Sequence, residues 1–91
     1  MGFLDLFDIE CIEECYIALI FDNTLCMVFV RGGRAVSLYM RRFDKLIVDY
    51  DSESGYYVLS TDDVYKAKAV RVLDKDESVV VMDRLVRELK G

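Results

Sequence analysis

Between residues 16 and 40 three apolar runs follow one another, interrupted only by Asp22-Asn23-Thr24 and by Gly32-Gly33. The first two, 16–22 and 25–31, are nearly continuous in Ile, Leu, Val and Phe, the pattern of strands covered on both faces and therefore central in a sheet. Two β-rich runs joined by two glycines predict a hairpin, because a type I′ turn needs positive φ at both central residues and glycine supplies it without steric cost. Asp22-Asn23 predicts a second tight turn, since short Asx side chains tolerate the left-handed region. The Gly-Gly turn makes 34–40 a third strand. Val36, Tyr39, Phe43 and Ile47 also keep an i, i+3, i+7 rhythm, so a helix over 34–45 is the competing assignment.

Residues 3–15 carry two patterns. Leu4, Phe7, Cys11 and Cys15 fall at helical spacing, whereas 7–11 alternates as a strand would. Asp5 and Asp8 near the start favour a short helix, although Glu13 and Glu14 sit badly at its other end. Downstream, 45–51 and 55–60 form a hairpin around Ser52-Glu53-Ser54-Gly55, with Tyr50, Tyr56 and Tyr57 available for cross-strand packing. Residues 64–73 are again double: Ser60-Thr61-Asp62-Asp63 could cap a helix with Tyr65, Ala69, Val72 and Leu73 as its stripe. The preferred assignment is strand, turning at 74–77. Val79, Met82, Val86 and Leu89, joined by Leu85, make one apolar face, and Arg84, Arg87, Glu88 and Lys90 the other, so an amphipathic helix closes the chain. Arg87 and Lys90 suit its dipole, and Gly91 ends it.

The expected fold is α+β: an antiparallel meander sheet of five to seven strands, a short N-terminal helix and a C-terminal amphipathic helix packed on one sheet face. With 34–40 as strand the order of elements resembles pleckstrin-homology-type domains, and with that segment as helix it resembles roadblock or longin modules. Neither resemblance rests on a residue motif, so no family is claimed and no site residue is carried across.

Ninety-one residues make one domain, 1–91, and the 54% apolar fraction is high for so small a body, which implies that part of the apolar surface faces a partner. The longest apolar run, 15–21, is far too short to span a bilayer. No Lys or Arg precedes Arg31, which fits neither a secretory signal nor a basic membrane anchor, and Leu6 stands where myristoylation wants Ser or Thr. No membrane contact and a cytoplasmic location are the expectation. Glutamine is absent and Asn23 is the lone asparagine, the amide depletion of thermophilic proteins, so a thermophile or one of its viruses is the expected source.

The net charge of −5 is arranged in blocks. Asp5, Asp8, Glu10, Glu13, Glu14 and Asp22 come first, then Arg31, Arg34, Arg41, Arg42 and Lys45 against Asp44 alone. Acids from Asp49 to Asp63 follow, then Lys66, Lys68 and Arg71. Such alternation lets neighbouring strands, or two copies of the chain, meet with complementary charge.

Four candidate sites follow from residue type. Cys11-x-x-x-Cys15 with Cys26 has the wrong number and spacing for structural zinc or an iron–sulfur cluster, and no histidine supplies a fourth ligand. A bridge within one helix between Cys11 and Cys15 is strained. The three are therefore expected as buried small hydrophobes, with a disulfide to Cys26 or to another chain as the alternative. Asp49-x-Asp51-x-Glu53 opens like a calcium loop but lacks Gly at the sixth position and Glu at the twelfth, where Ser54 and Ser60 stand. It is expected to be a solvated face.

Arg31, Arg34, Arg41 and Arg42 with Tyr39 interleaved have the residue types of a single-strand binder, in which aromatics stack bases and cations hold phosphates. The acidic blocks oppose that use, so nucleic acid is the disfavoured partner. No histidine, nucleophile elbow or Gly-rich phosphate loop marks a catalytic centre, and neither cofactor nor metal is indicated. The expected function is a non-enzymatic protein–protein interaction module, homodimeric, with single-stranded nucleic-acid binding through the 31–45 segment as the alternative.

Overall fold

A computed structural model of the protein describes residues 2–90. A short 3-10 turn, Phe3–Leu6, precedes seven strands: β1 (Glu14–Phe21), β2 (Thr24–Arg31), β3 (Arg34–Arg42), β4 (Ile47–Asp51), β5 (Tyr56–Ser60), β6 (Val64–Ala67) and β7 (Ala69–Val72). One helix, α1 (Lys75–Lys90), follows. The strands form two sheets, not the single meander expected: a mixed four-stranded sheet in the order β3-β2-β1-β7 and an antiparallel three-stranded sheet in the order β4-β5-β6.

Local turn chemistry builds the first sheet as the residues predict. Asp22 and Asn23 take φ of 48° and 52°, and Gly32 and Gly33 take 60° and 80°, so both hairpins turn through two left-handed residues. The first turn pairs Glu14 with Arg31 at one end of the ladder and Phe21 with Thr24 at the other. The segment 34–42 is strand, which removes the helical alternative and the roadblock-like or longin-like order with it.

The departure from a meander lies at residues 64–72. The chain leaves the three-stranded sheet after Ala67, bends at Lys68, whose N–H donates to the Tyr16 carbonyl at 2.7 Å, and enters the four-stranded sheet as β7. There it pairs parallel with β1, Ile17 beside Ala69 and Ile20 beside Val72. One strand thus serves both sheets, divided by a bend.

The two-sided burial expected of β1 and β2 is observed, and it creates three layers. Cys15, Ile17, Leu19, Cys26, Val28 and Val30 share one core with Phe3, Leu4, Leu73, Val81 and Leu85. The intervening residues Ala18, Leu25 and Met27 share the other with Leu59 and Ala67 of the three-stranded sheet. Period-two alternation sends one set toward α1 and the other toward the second sheet.

At the N-terminus the expected helix is reduced to Phe3–Leu6, because Asp8 lies in the left-handed region at φ 55° and breaks the spiral before Cys11. The C-terminal helix is present, and of its expected apolar face Leu85 is buried and Met82 and Leu89 pack against the core, but the two valines do not. Val81 and Leu85 face the core at 5% and 0% exposure, while Val79 and Val86 of the expected apolar face lie outside. Its start is a reciprocal cap: the Glu77 N–H donates to Asp74 Oδ1 at 2.8 Å and the Asp74 N–H to Glu77 Oε1 at 3.1 Å. Gly91, expected to end the helix, lies outside the described residues.

Glu88 ties three elements together. One carboxylate oxygen accepts the Phe3 N–H at 2.7 Å and the other the Ala35 N–H at 2.6 Å, joining α1, the N-terminal turn and β3.

Candidate interaction surface

The basic segment is the first surface that the residues single out, and the strands scatter it. Arg31 Nε donates to Glu14 Oε1 at 3.0 Å, and its guanidinium lies 5.4 Å from the centre of the Phe29 ring. Arg41 is held more closely still. Its Nη2 reaches Asp62 at 2.9 Å, and its Nη1 reaches Asp63 at 2.7 Å and the Tyr65 hydroxyl at 3.0 Å. The Tyr65 hydroxyl first, then Asp63, hold that guanidinium above its ordinary pKa. Tyr39 lies beside Tyr65 with ring centres 6.2 Å apart, and that neighbour raises the Tyr39 phenol's pKa.

Arg34 and Arg42 are exposed at opposite ends of β3. Arg42 borders an open depression of about 390 Å³ shared with Asn23, Lys45, Asp44 and Asp62, where acids and bases are mixed. Two of the four arginines proposed for phosphate contact thus face carboxylates of their own chain. The alternating charge blocks meet within the molecule at Glu14–Arg31 and at Arg41 with Asp62 and Asp63. Counting back from the Asp22-Asn23 turn places Glu14 opposite Arg31, so this pairing was available from the sequence.

Cys11 and Cys15 form a disulfide, with Cα atoms 6.2 Å apart. The objection to that bridge assumed one helix through both residues. Cys11 instead precedes β1 and Cys15 belongs to it, so the two are free to face each other. Cys26 is free, fully buried, and its thiol is pushed up to about 11 by burial. It forms no bridge with either. Among the described residues no group of three or more His, Cys, Asp or Glu is placed to hold a metal ion. Asp51 is occupied locally, accepting from the Ser54 hydroxyl at 2.9 Å and the Glu53 N–H at 3.1 Å, and both bonds hold its carboxyl below the ordinary range.

The surface that residue spacing did not single out is the outer face of α1. Val79 and Val80 are 67% and 60% exposed, and Val86 is exposed about two turns further on. Between them Asp83 Oδ2 accepts from Arg87 Nε at 3.2 Å. The acids Asp76 and Glu77 stand in the first turn, Arg87 and Lys90 in the last. Beside the first turn an apolar groove of about 350 Å³ runs between Val80 and the N-terminal residues Leu6 and Phe7. Further exposed apolar side chains, Val36, Tyr39 and Met40 on β3 and Ile47, Val48 and Tyr50 on β4, mark the sheet edges.

No family model matches this chain, nor does any curated protein or solved structure. No helix among the described residues is long and apolar enough to cross a membrane.

Proposed function

We propose that the protein is a non-enzymatic protein–protein interaction module that works as a homodimer and docks through apolar surface rather than through a chemical centre. The observation that carries this reading is the trio Val79, Val80 and Val86, exposed on a helix whose opposite side already fills the core. Valine is a poor choice for a solvated helix face. Its branched side chain lowers helix propensity, and its exposure to water returns nothing in packing. Burying that face against a partner recovers the hydrophobic term, and the stiff rotamer loses little entropy on docking.

The test is the solution mass by light scattering at two concentrations, with and without reductant. A dimer that grows with concentration and survives reductant supports the reading. A monomer throughout overturns it. A dimer lost on reduction assigns association to the cysteines and overturns the apolar interface.

A further inference from the structure

We infer that the partner on α1 is a second copy of the same chain, packed helix against helix in antiparallel two-fold fashion; this rests on the homodimer reading above. Charge selects this occupant. The exposed face is acidic at its first turn, through Asp76 and Glu77, and basic at its last, through Arg87 and Lys90. Such a distribution complements itself only when two helices run in opposite directions, so that each acidic turn meets the other copy's basic turn. A two-fold axis makes that contact twice, and the opposed dipoles add to it.

With the axis at Asp83, Val80 comes opposite Val86 of the other copy and Asp76 opposite Lys90. The Asp83 carboxylates near the axis are each already paired with Arg87 of their own chain, which offsets part of their repulsion. The same reasoning rejects the β3 edge for self-association. Antiparallel pairing centred on Leu38 would set Arg34 against Arg42 of the other copy at both ends of the ladder. A lipid surface fits poorly as well, because an interfacial helix flanks its apolar stripe with Lys and Arg, whereas here the acids Asp76, Glu77 and Asp83 border the stripe alongside Arg87 and Lys90.

A 16-residue helix is about 24 Å long. A contact confined to one such helix face is small, and small interfaces are common among the weaker associations.

Sedimentation equilibrium of the full chain from micromolar to millimolar protein, with three sets of variants, tests the geometry. Val80→Glu with Val86→Glu weakens association by about tenfold or more, the equivalent of about 1.4 kcal/mol, while the far-ultraviolet circular dichroism stays that of the parent. Asp76→Lys weakens it, and adding Lys90→Glu restores it. Because Cys11 and Cys15 are joined and Cys26 is buried, an introduced cysteine is the accessible thiol. Asp83→Cys then cross-links two chains under mild oxidation. Val79→Cys does not, since its copies are offset by about 12 Å along the helix axis.

Equal cross-linking at both positions overturns the antiparallel arrangement. A dimer indifferent to the paired glutamates overturns the helix as the interface while leaving the homodimer standing, and a monomeric parent overturns both.

Discussion

Replacing Glu88 by Ala tests whether one carboxylate fastens the helix, the N-terminal turn and β3 to one another. The side chain accepts from Phe3 N–H at 2.7 Å and Ala35 N–H at 2.6 Å, both partly buried contacts. A hydrogen bond to a charged group contributes about 1.5–3 kcal/mol, and the half-buried setting argues for the lower end, so losing both costs about 3 kcal/mol. For a chain of this size each kcal/mol moves the melting temperature by about 4–8 °C, which predicts a fall of at least about 12 °C for Glu88→Ala. Glu88→Gln keeps one acceptor and sets an amide N–H against the second donor, so it should fall between the two. The assay is a circular-dichroism melt at micromolar protein, where association contributes least, together with the amide resonances of Phe3 and Ala35. If Glu88→Ala melts within a couple of degrees of the parent, or the two amides do not move, the three-element tie carries no weight.

Three further outcomes follow from the same structure. Leu85→Ala empties a fully buried site and costs about 2–5 kcal/mol, whereas Val86→Ala leaves the monomer's melt almost unchanged; an equal loss at Val86 would put that side chain in the core. Replacing Cys11 and Cys15 by Ser opens a loop of five residues and lowers stability by about 2 kcal/mol on chain-entropy grounds, while Cys26, its thiol near 11, resists alkylation at neutral pH until the chain unfolds. Asp51, whose carboxyl sits below the ordinary value, stabilises the β4–β5 turn above the unfolded-state pKa, and that contribution disappears as pH falls through the lower folded value. Its side-chain titration by NMR should therefore lie below that of Asp51 in the denatured chain, and a midpoint at or above it would refute the turn bonds.

What the residues announced was local. Gly32-Gly33 and Asp22-Asn23 dictate backbone conformation at their own positions, so both hairpins, and the Glu14–Arg31 register that follows from one of them, were legible. The continuous apolar character of β1 and β2 also named strands with two buried faces. What closes the fold was not legible in the same way. Ala69–Val72 pairs parallel with a strand 52 residues earlier, and nothing in its own sequence distinguishes that neighbour from the preceding hairpin.

The phase of α1 was hidden for a different reason. Val79-Val80-Val81-Met82 is apolar through more than a full turn and Leu85-Val86 repeats the ambiguity, so periodicity allows two faces and packing against Phe3, Leu4 and the sheet selects one. The Asp74-x-x-Glu77 capping pattern was present and would have fixed the helix start. Two of the residues on the candidate surface, Val79 and Val86, are ones the spacing assigns to the core, and Val81 is buried in their stead.

The most direct test of the central claim is the concentration dependence of amide chemical shifts in the ¹⁵N spectrum, followed from dilute to millimolar protein. Movement is expected to be confined to the outer face of α1, at Val79, Val80, Asp83, Val86 and Arg87, and to Leu6 and Phe7 beside it. Shifts clustering instead along β3 or β4, or no shifts at all, would contradict it.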